Sequence, residues 1–212
     1  TLSSNLEDLT FTGTGSFNGT GNGLANAITG GDGNDTLSGG NGADSLDGGA
    51  GDDQLIGGAG NDTYHIDSLG DVIKEDNNKG VDTVSVELAS GGTYTLAPNL
   101  ENATVGNDAA DVNLTGNGLN NTLVGNDLAN ELDGGGGDDV LLGAGDSDSL
   151  FGGNGSDWLY GGTGSDLLTG GRGADCFVFD TLPDEADTIT DFTSGSDKIA
   201  LSQAVFDLAG AV

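Results

Sequence analysis

The sequence predicts an all-β solenoid, with short parallel strands wound into a flat spiral as two arrays joined by wider coils of the same kind. Three observations carry this. A nine-residue unit recurs, five times in one run and seven times in another. Of 212 residues 42 are Gly, and the 35 acids are 29 Asp and only 6 Glu, a balance that suits turns rather than helices. Each unit also closes on three residues with a large apolar one in the middle, the alternation of a half-buried strand.

The first run reads GNGLANAIT, GGDGNDTLS, GGNGADSLD, GGAGDDQLI, GGAGNDTYH from Gly21 to His65. The second reads GNGLNNTLV, GNDLANELD, GGGGDDVLL, GAGDSDSLF, GGNGSDWLY, GGTGSDLLT, GGRGADCFV from Gly116 to Val178. The shared pattern is G-G-x-G-x-D-x-U-x, with U large and apolar. A longer period lies over it. Thr1-Leu2 through Asn5-Leu6-Glu7 matches Thr95-Leu96 through Asn99-Leu100-Glu101, so residues 1–65 repeat as roughly 95–160. A chain that begins inside a repeat, with neither initiator Met nor signal peptide, is expected to be a piece of a longer protein.

Six residues of each unit make a turn and three make a strand. Glycine supplies the positive φ and the close backbone approach of the turn. The strand centres point inward: Ile28, Leu37, Leu46, Leu55 and Tyr64, then Leu123, Leu132, Leu141, Leu150, Leu159, Leu168 and Phe177. Two units make one coil, and alternate units stack in one sheet. About two aliphatic side chains per coil are too few to offset the ordering of 18 backbone residues. Something else must hold the spiral.

Charge points to what. Four Lys and Arg against 35 acids give a formal net charge of -31, which excludes binding to a phosphate backbone. The run of apolar residues needed for a transmembrane helix is missing, and the single Cys cannot form an internal disulfide. So acidic a chain with few aromatics is disordered unless cations neutralise it. Stacking unit n on unit n+2 brings together two sixth-position carboxylates and several outward carbonyls. Six or more hard oxygens, with neither His nor Cys, describe a calcium site better than a zinc or copper site. Without the ion, the same stacking presses like charges together.

These repeats resemble those of RTX (repeats-in-toxin) proteins over most of the chain. The resemblance implies a parallel β-roll, a right-handed calcium-binding β-solenoid. In that family calcium is held by the carbonyls of positions 2 and 4 and the Asp of one turn, with the carbonyls of positions 1 and 3 and the Asp of its partner. Carried over, one site joins Gly31, Gly33 and Asp35 with Gly48, Ala50 and Asp53, and a second joins Gly40, Gly42 and Asp44 with Gly57, Ala59 and Asp62. In the later array Gly135, Gly137 and Asp139 meet Gly152, Asn154 and Asp157, while Gly153, Gly155 and Asp157 meet Gly170, Arg172 and Asp175. A fifth site pairs Ala144, Asp146 and Asp148 with Gly161, Thr163 and Asp166, and departs from the pattern because Asp146 replaces a turn Gly. The cofactor is thus Ca²⁺ at about five good sites. Three turns carry Asn at position 6 (Asn26, Asn121, Asn130) and Leu at position 4 (Leu24, Leu119, Leu128). A neutral ligand and a residue averse to positive φ make these weak sites at best, entry coils that propagate the spiral.

Residues 66–115 lose the period but keep strand signals at Val84, Val86, Leu88 and Thr93–Leu96, so they are expected to form wider β-solenoid coils. The tail, with Asp187–Phe192 and Asp197–Ser202, resembles the end of serralysin-type RTX domains. Phe177, Phe179, Ile189, Phe192, Ile199 and Leu201 would plug the last coil, which otherwise exposes its apolar face. The expected organisation is residues 1–65 with the first roll at 21–65, connecting coils at 66–115, the second roll at 116–178 and a cap at 179–212.

Rival readings find less support. His65 and Cys176 both sit at outward strand positions with no catalytic partner in sight. The Gly-rich Gly161-Gly162-Thr163-Gly164 lacks the Lys of a phosphate loop, and Asp146-Ser147-Asp148 fails as an EF-hand at Leu150. No enzyme is expected within this chain, and any catalytic domain lies outside it. An ice-binding ladder would need Thr along one turn edge, but position 3 varies from Asp32 to Arg172. An adhesin or glycan-binding solenoid, or the C-terminal module of a secreted hydrolase such as a protease or lipase, remains the alternative. By resemblance the module belongs to a secreted bacterial protein, exported by a type I system and folding on extracellular calcium. Its partners are calcium and other domains of the same polypeptide. In the second array Val140, Leu142, Trp158, Tyr160, Cys176 and Val178 line up on one outward face. That face is expected to be covered by residues 179–212, or to dock a partner through Trp158 and Tyr160.

Overall fold

The computed structural model describes residues 1–77, 79–180 and 185–202. The chain divides into two compact units, Thr1–Gly91 with Leu96–Ala110, and Gly92–Thr95 with Asp111–Val212. Among the described residues all regular structure is β.

In the first unit one sheet runs through Asp8–Thr10, Ala27–Thr29, Ser45–Asp47, Thr63–Ile66, Thr83–Val86 and Asn102–Val105. The other runs through Asn18–Thr20, Thr36–Asn41, Gln54–Ala59 and Val72–Lys74. The chain visits the two sheets alternately, so each strand pairs in parallel with the strand two units away. That is a β-solenoid with two strands per coil, the parallel β-roll that the repeats predict.

The second unit is built the same way. Thr122–Val124, Val140–Ala144, Trp158–Gly162, Cys176–Phe179 and Lys198–Leu201 form one sheet. Gly92–Thr95, Val112–Thr115, Glu131–Asp133, Ser149–Asn154, Leu167–Arg172 and Thr188–Ile189 form the other.

Register stacks like on like. Ile28, Leu46, Tyr64, Val84 and Ala103 form one inward ladder, and Leu37, Leu55 and Ile73 form its counterpart. Leu123, Leu141, Leu159 and Phe177 face Leu114, Leu132, Leu150 and Leu168 in the second unit. All of these but Ile73 are at most 1 % exposed. The coil is 18 residues within the arrays, as in Leu46 to Tyr64, and widens to 20 from Tyr64 to Val84 and 19 from Val84 to Ala103. The expected wider coils are therefore present. Coils widen again in the tail, to 21 from Leu168 to Ile189 and 22 from Phe177 to Ile199.

The tail strand Lys198–Leu201 adds a further rung to its sheet, pairing with Cys176–Phe179. The Phe192 ring lies 6.2 Å from that of Phe177, but Ile199 and Leu201 are 53 % and 51 % exposed. Ile189, Ile199 and Leu201 take the rungs next to Leu168, Phe177 and Phe179, so the tail residues of the expected plug continue the stack. Residues 181–184 and 203–212, which belong to the same expectation, lie outside the described residues. Trp158 is 47 % exposed and stacks on Tyr160 at 6.4 Å, so the described tail extends the sheet rather than lying over this face. Cys176 is outward by register yet buried, between Trp158 and Lys198 on the neighbouring rungs, and burial raises its thiol pKa.

The turns explain the glycines. At position 2, Gly31, Gly40, Gly49, Gly58, Gly135, Gly153, Gly162 and Gly171 all have positive φ. Ala144 occupies the same place at φ 87° and Asp146 follows at 64°, so this turn keeps the repeat's shape against the preference of its side chains. Ala144→Gly should therefore raise the stability of the calcium-loaded protein by about 1 kcal/mol, read as a shift in its denaturation midpoint. Gly153→Ala, whose new Cβ would collide with the Gly135 carbonyl oxygen, should lower it.

Candidate metal centre

The sixth position of each unit lies two residues before the inward strand residue, where the chain leaves the turn. Its carboxylate is drawn under the turn and buried. Asp35, Asp44, Asp53, Asp62, Asp139, Asp148, Asp157, Asp166 and Asp175 are all at most 2 % exposed. Each uses one oxygen in the same way. Oδ1 accepts a hydrogen bond from the backbone N–H of the residue 18 places earlier, as in Phe17 N–H to Asp35 (2.7 Å), Asp35 to Asp53 (2.7 Å), Asp44 to Asp62 (2.8 Å), Asp139 to Asp157 (2.8 Å) and Asp148 to Asp166 (2.9 Å). The stacked turns thus string their acids into files, two in each unit.

The other oxygen is left over. Oδ2 of Asp35, Asp44, Asp53, Asp62, Asp139, Asp148 and Asp157 is buried with no hydrogen-bond partner. It points back at the position-1 glycine of its own turn, where the missing Cβ leaves room. A Cβ on Gly134 would meet Asp139 Oδ2 and sit 2.7 Å from the Gly152 carbonyl oxygen, and Gly30, Gly143 and Gly152 are placed alike. Each cradle is therefore lined by a carboxylate oxygen and a carbonyl oxygen. Buried acceptors without donors are costly, and a cation is what satisfies several at once. The donor set is hard oxygen throughout, which fits calcium.

Each of the five expected residue sets is brought together across stacked turns. Gly33 donates to the Ala50 carbonyl (2.6 Å), Gly42 to Ala59 (2.7 Å), Gly137 to Asn154 (2.9 Å) and Gly155 to Arg172 (2.8 Å), and Thr163 donates to Ala144 (3.0 Å). A carbonyl oxygen keeps a second lone pair after one such bond. Position-2 and position-4 carbonyls, such as those of Gly31 and Gly33, face Gly49 and Gly51 so closely that a Cβ there would collide.

The Asn turns satisfy their buried side chains with hydrogen bonds inside the protein. Asn26 Oδ1 accepts from Asn22 N–H (2.8 Å) within its own turn, while its Nδ2 donates to the Leu6 carbonyl (3.2 Å). Asn130 repeats this with Asn126 N–H (2.8 Å) and the Val112 carbonyl (2.7 Å), and Asn121 accepts from Asn117 N–H (2.8 Å). An amide carries a donor where the carboxylate has only acceptors. Position 2 closes an Asx turn onto the Leu at position 4, as Asn22 Oδ1 does with Leu24 N–H (2.8 Å). Leu24, Leu119 and Leu128 thereby avoid positive φ.

The files also run beyond the repeats. Asp53 N–H donates to Asp71 (2.9 Å), Asp62 to Asp82 (2.7 Å), Asp82 to Glu101 (2.9 Å), Asp166 to Asp187 (3.0 Å) and Asp175 to Asp197 (3.3 Å). Reading by nonapeptides misses these. The signal that finds them is an acid two places before a strand's inward residue: Asp71 before Ile73, Asp82 before Val84, Asp187 before Ile189, Asp197 before Ile199. His65 lies 3.6 Å from Glu87 on the outer surface, away from the files.

The fold and these acidic files define a repeat solenoid built around cation-binding turns. The family model described as RTX calcium-binding nonapeptide repeat (4 copies) matches residues 20–64, 115–150 and 151–180, more than half of the chain, and the chain belongs to that family. No curated protein matches it.

Electrostatics sets a pH dependence for the metal-free fold. Burial raises the pKa of Asp139 and Asp148 to about 7, and of Asp44, Asp53 and Asp157 to about 6. The backbone N–H bond pulls the other way and neighbouring carboxylates add to the rise. Raised pKa values mean that the folded chain holds more protons than the unfolded one. Its stability is therefore greatest below the ordinary Asp range and is lost as pH rises through these values. In chelator, far-UV circular dichroism should show more strand at about pH 5.5 than at about pH 8, while calcium affinity should move the opposite way because protons compete with the ion.

Proposed function

We propose that this chain is a calcium-dependent folding module of a larger secreted bacterial protein. It stays expanded while calcium is scarce and winds into its rolls on meeting extracellular calcium, which supports export of its parent through a type I system and folding afterwards. The observation that carries this is the row of buried Oδ2 atoms with no partner. A fold that places so many carboxylates out of water is stable only where their charge is neutralised, so binding free energy becomes folding free energy. The formal charge of -31 keeps the metal-free chain extended and soluble.

On this reading the ions sit in the five residue sets given above, with Asp157 shared between two. The rolls at 21–65 and 116–178 are the calcium-binding parts, residues 66–115 connect them, and 179–212 cap the second. The outward Trp158 and Tyr160 offer a surface to other domains of the same polypeptide. The module's part is structural, and catalysis belongs to whatever domain accompanies it.

In excess chelator near neutral pH the chain should show little strand, and calcium should restore it cooperatively. Magnesium should do far less, because it demands near-ideal octahedral geometry and gives up water reluctantly. A chain fully folded in chelator at that pH would overturn the proposal. Site sharing gives a second test. Asp157→Ala should lose about two bound ions and Asp35→Ala about one, by the pairing of stacked turns, as counted by calorimetry or elemental analysis. Equal losses would refute the assigned register, and Asn26→Ala should cost least of the three.

A further inference from the structure

The last turn of the first array, Gly57–Asp62, is followed by a coil of 20 residues instead of 18. The residue two places after the inward strand residue is Gly at Gly30, Gly39, Gly48 and Gly57, but after Ile73 it is Glu75. Ile73 stacks on Leu55, which sets Glu75 beside Gly57. A Cβ on Gly57 would collide with Asp62 Oδ2, Glu75 Oε1 and the Tyr64 hydroxyl together. Carboxylate oxygens of Asp62, Glu75 and Asp82 lie within 4.8 Å of one another.

Two of these acids are nearly inaccessible, Asp62 and Asp82 each being 1 % exposed. Their known hydrogen bonds leave the cluster short of donors. Asp62 N–H donates to Asp82 Oδ1 (2.7 Å), and Asp62 Oδ2 is buried with no hydrogen-bond partner. Glu75 Oε1 accepts from the Tyr64 hydroxyl and from Gly58 N–H (3.3 Å), and Oε2 from Asp76 N–H (3.2 Å). Asn99, held at φ 69°, donates to the Glu75 carbonyl (2.9 Å) and fixes the coil that carries it. Tyr64 is the one inward residue of that array with a hydroxyl, and it aims Glu75 at the turn.

We propose that Asp62, Glu75 and Asp82 form a further calcium site that closes the end of the first array. Two of its three carboxylates come from outside the nonapeptides. It rests on the reading of the repeats as calcium turns and adds to it an ion that repeat counting omits. Three carboxylates meet here, against two in the paired turns, so the site is suited to bind its ion tightly.

The experiment counts calcium per chain in saturating calcium, with circular dichroism on the same samples. Glu75→Gln and Asp82→Asn keep the acceptor oxygens that hold Tyr64, Gly58 and Asp62 while removing charge, and each should lose one ion with the strand signal retained. Tyr64→Phe should keep the full count. An unchanged count in Glu75→Gln and Asp82→Asn overturns the site, and so does an equal loss in Tyr64→Phe, which would make the tyrosine contact the cause. Should both carboxamide variants fail to fold, tyrosine-excited terbium emission reads the site in wild-type protein. Tyr64→Phe must diminish it, and undiminished emission overturns the assignment. A wild-type chain that binds no calcium at all would instead sink the reading of the repeats.

Discussion

A buried carboxylate oxygen with nothing to accept from is the constraint on which this molecule turns. Leaving a charged group unpaired out of water costs several kcal/mol, and here the cost recurs at almost every coil. The aliphatic ladders of the arrays are thin, one large apolar residue per strand, and the hydrogen bonds between stacked strands are those of any parallel sheet. Neither offsets the acids. Protons or cations do, and this makes the fold conditional on its solvent in a way that an apolar core is not.

Glycine and aspartate are two halves of one device. At position 1 the absent Cβ opens the space into which Asp Oδ2 points, and at positions 2 and 4 positive φ turns carbonyl oxygens toward the next coil. Replacing either half breaks the other, since a side chain at Gly134 fills the cradle and a neutral residue at Asp139 empties it of charge. Where the chain abandons the device, at Asn26, Asn121 and Asn130, it changes several positions together. Asn at position 2, Leu at position 4 and Asn at position 6 form a turn closed by its own hydrogen bonds.

Much of this was readable from the repeats. Period, strand alternation and the two-unit coil follow from where Gly, Asp and the apolar residue fall, because each position has one stereochemical job. The sheets formed by Ile28, Leu46 and Tyr64, and by Leu141, Leu159 and Phe177, needed nothing more. Irregular coils were harder. Val84 and Val86 mark a strand, but nothing local says that Glu75 returns to Gly57 or that the coil spends two extra residues between Glu75 and Asp82. Asp187 and Asp197 are marked only by standing two places before Ile189 and Ile199, because their turns have lost the glycines. Long-range stacking, not local preference, places these residues, and stacking is known only once the register is.

In both units the chain meets its neutral turns before its acidic ones: Asn26 precedes Asp35 and Asp44, and Asn121 and Asn130 precede Asp139 and Asp148. Each such file is therefore polar in a thermodynamic sense. One boundary is held by amide hydrogen bonds indifferent to pH and ionic composition, and the other by charges that are not. A one-dimensional lattice with unequal ends unzips from the weaker one. Loss of ions should thus peel the rolls from their C-terminal coils inward, leaving the earliest coils as a template on which the spiral can be rewound.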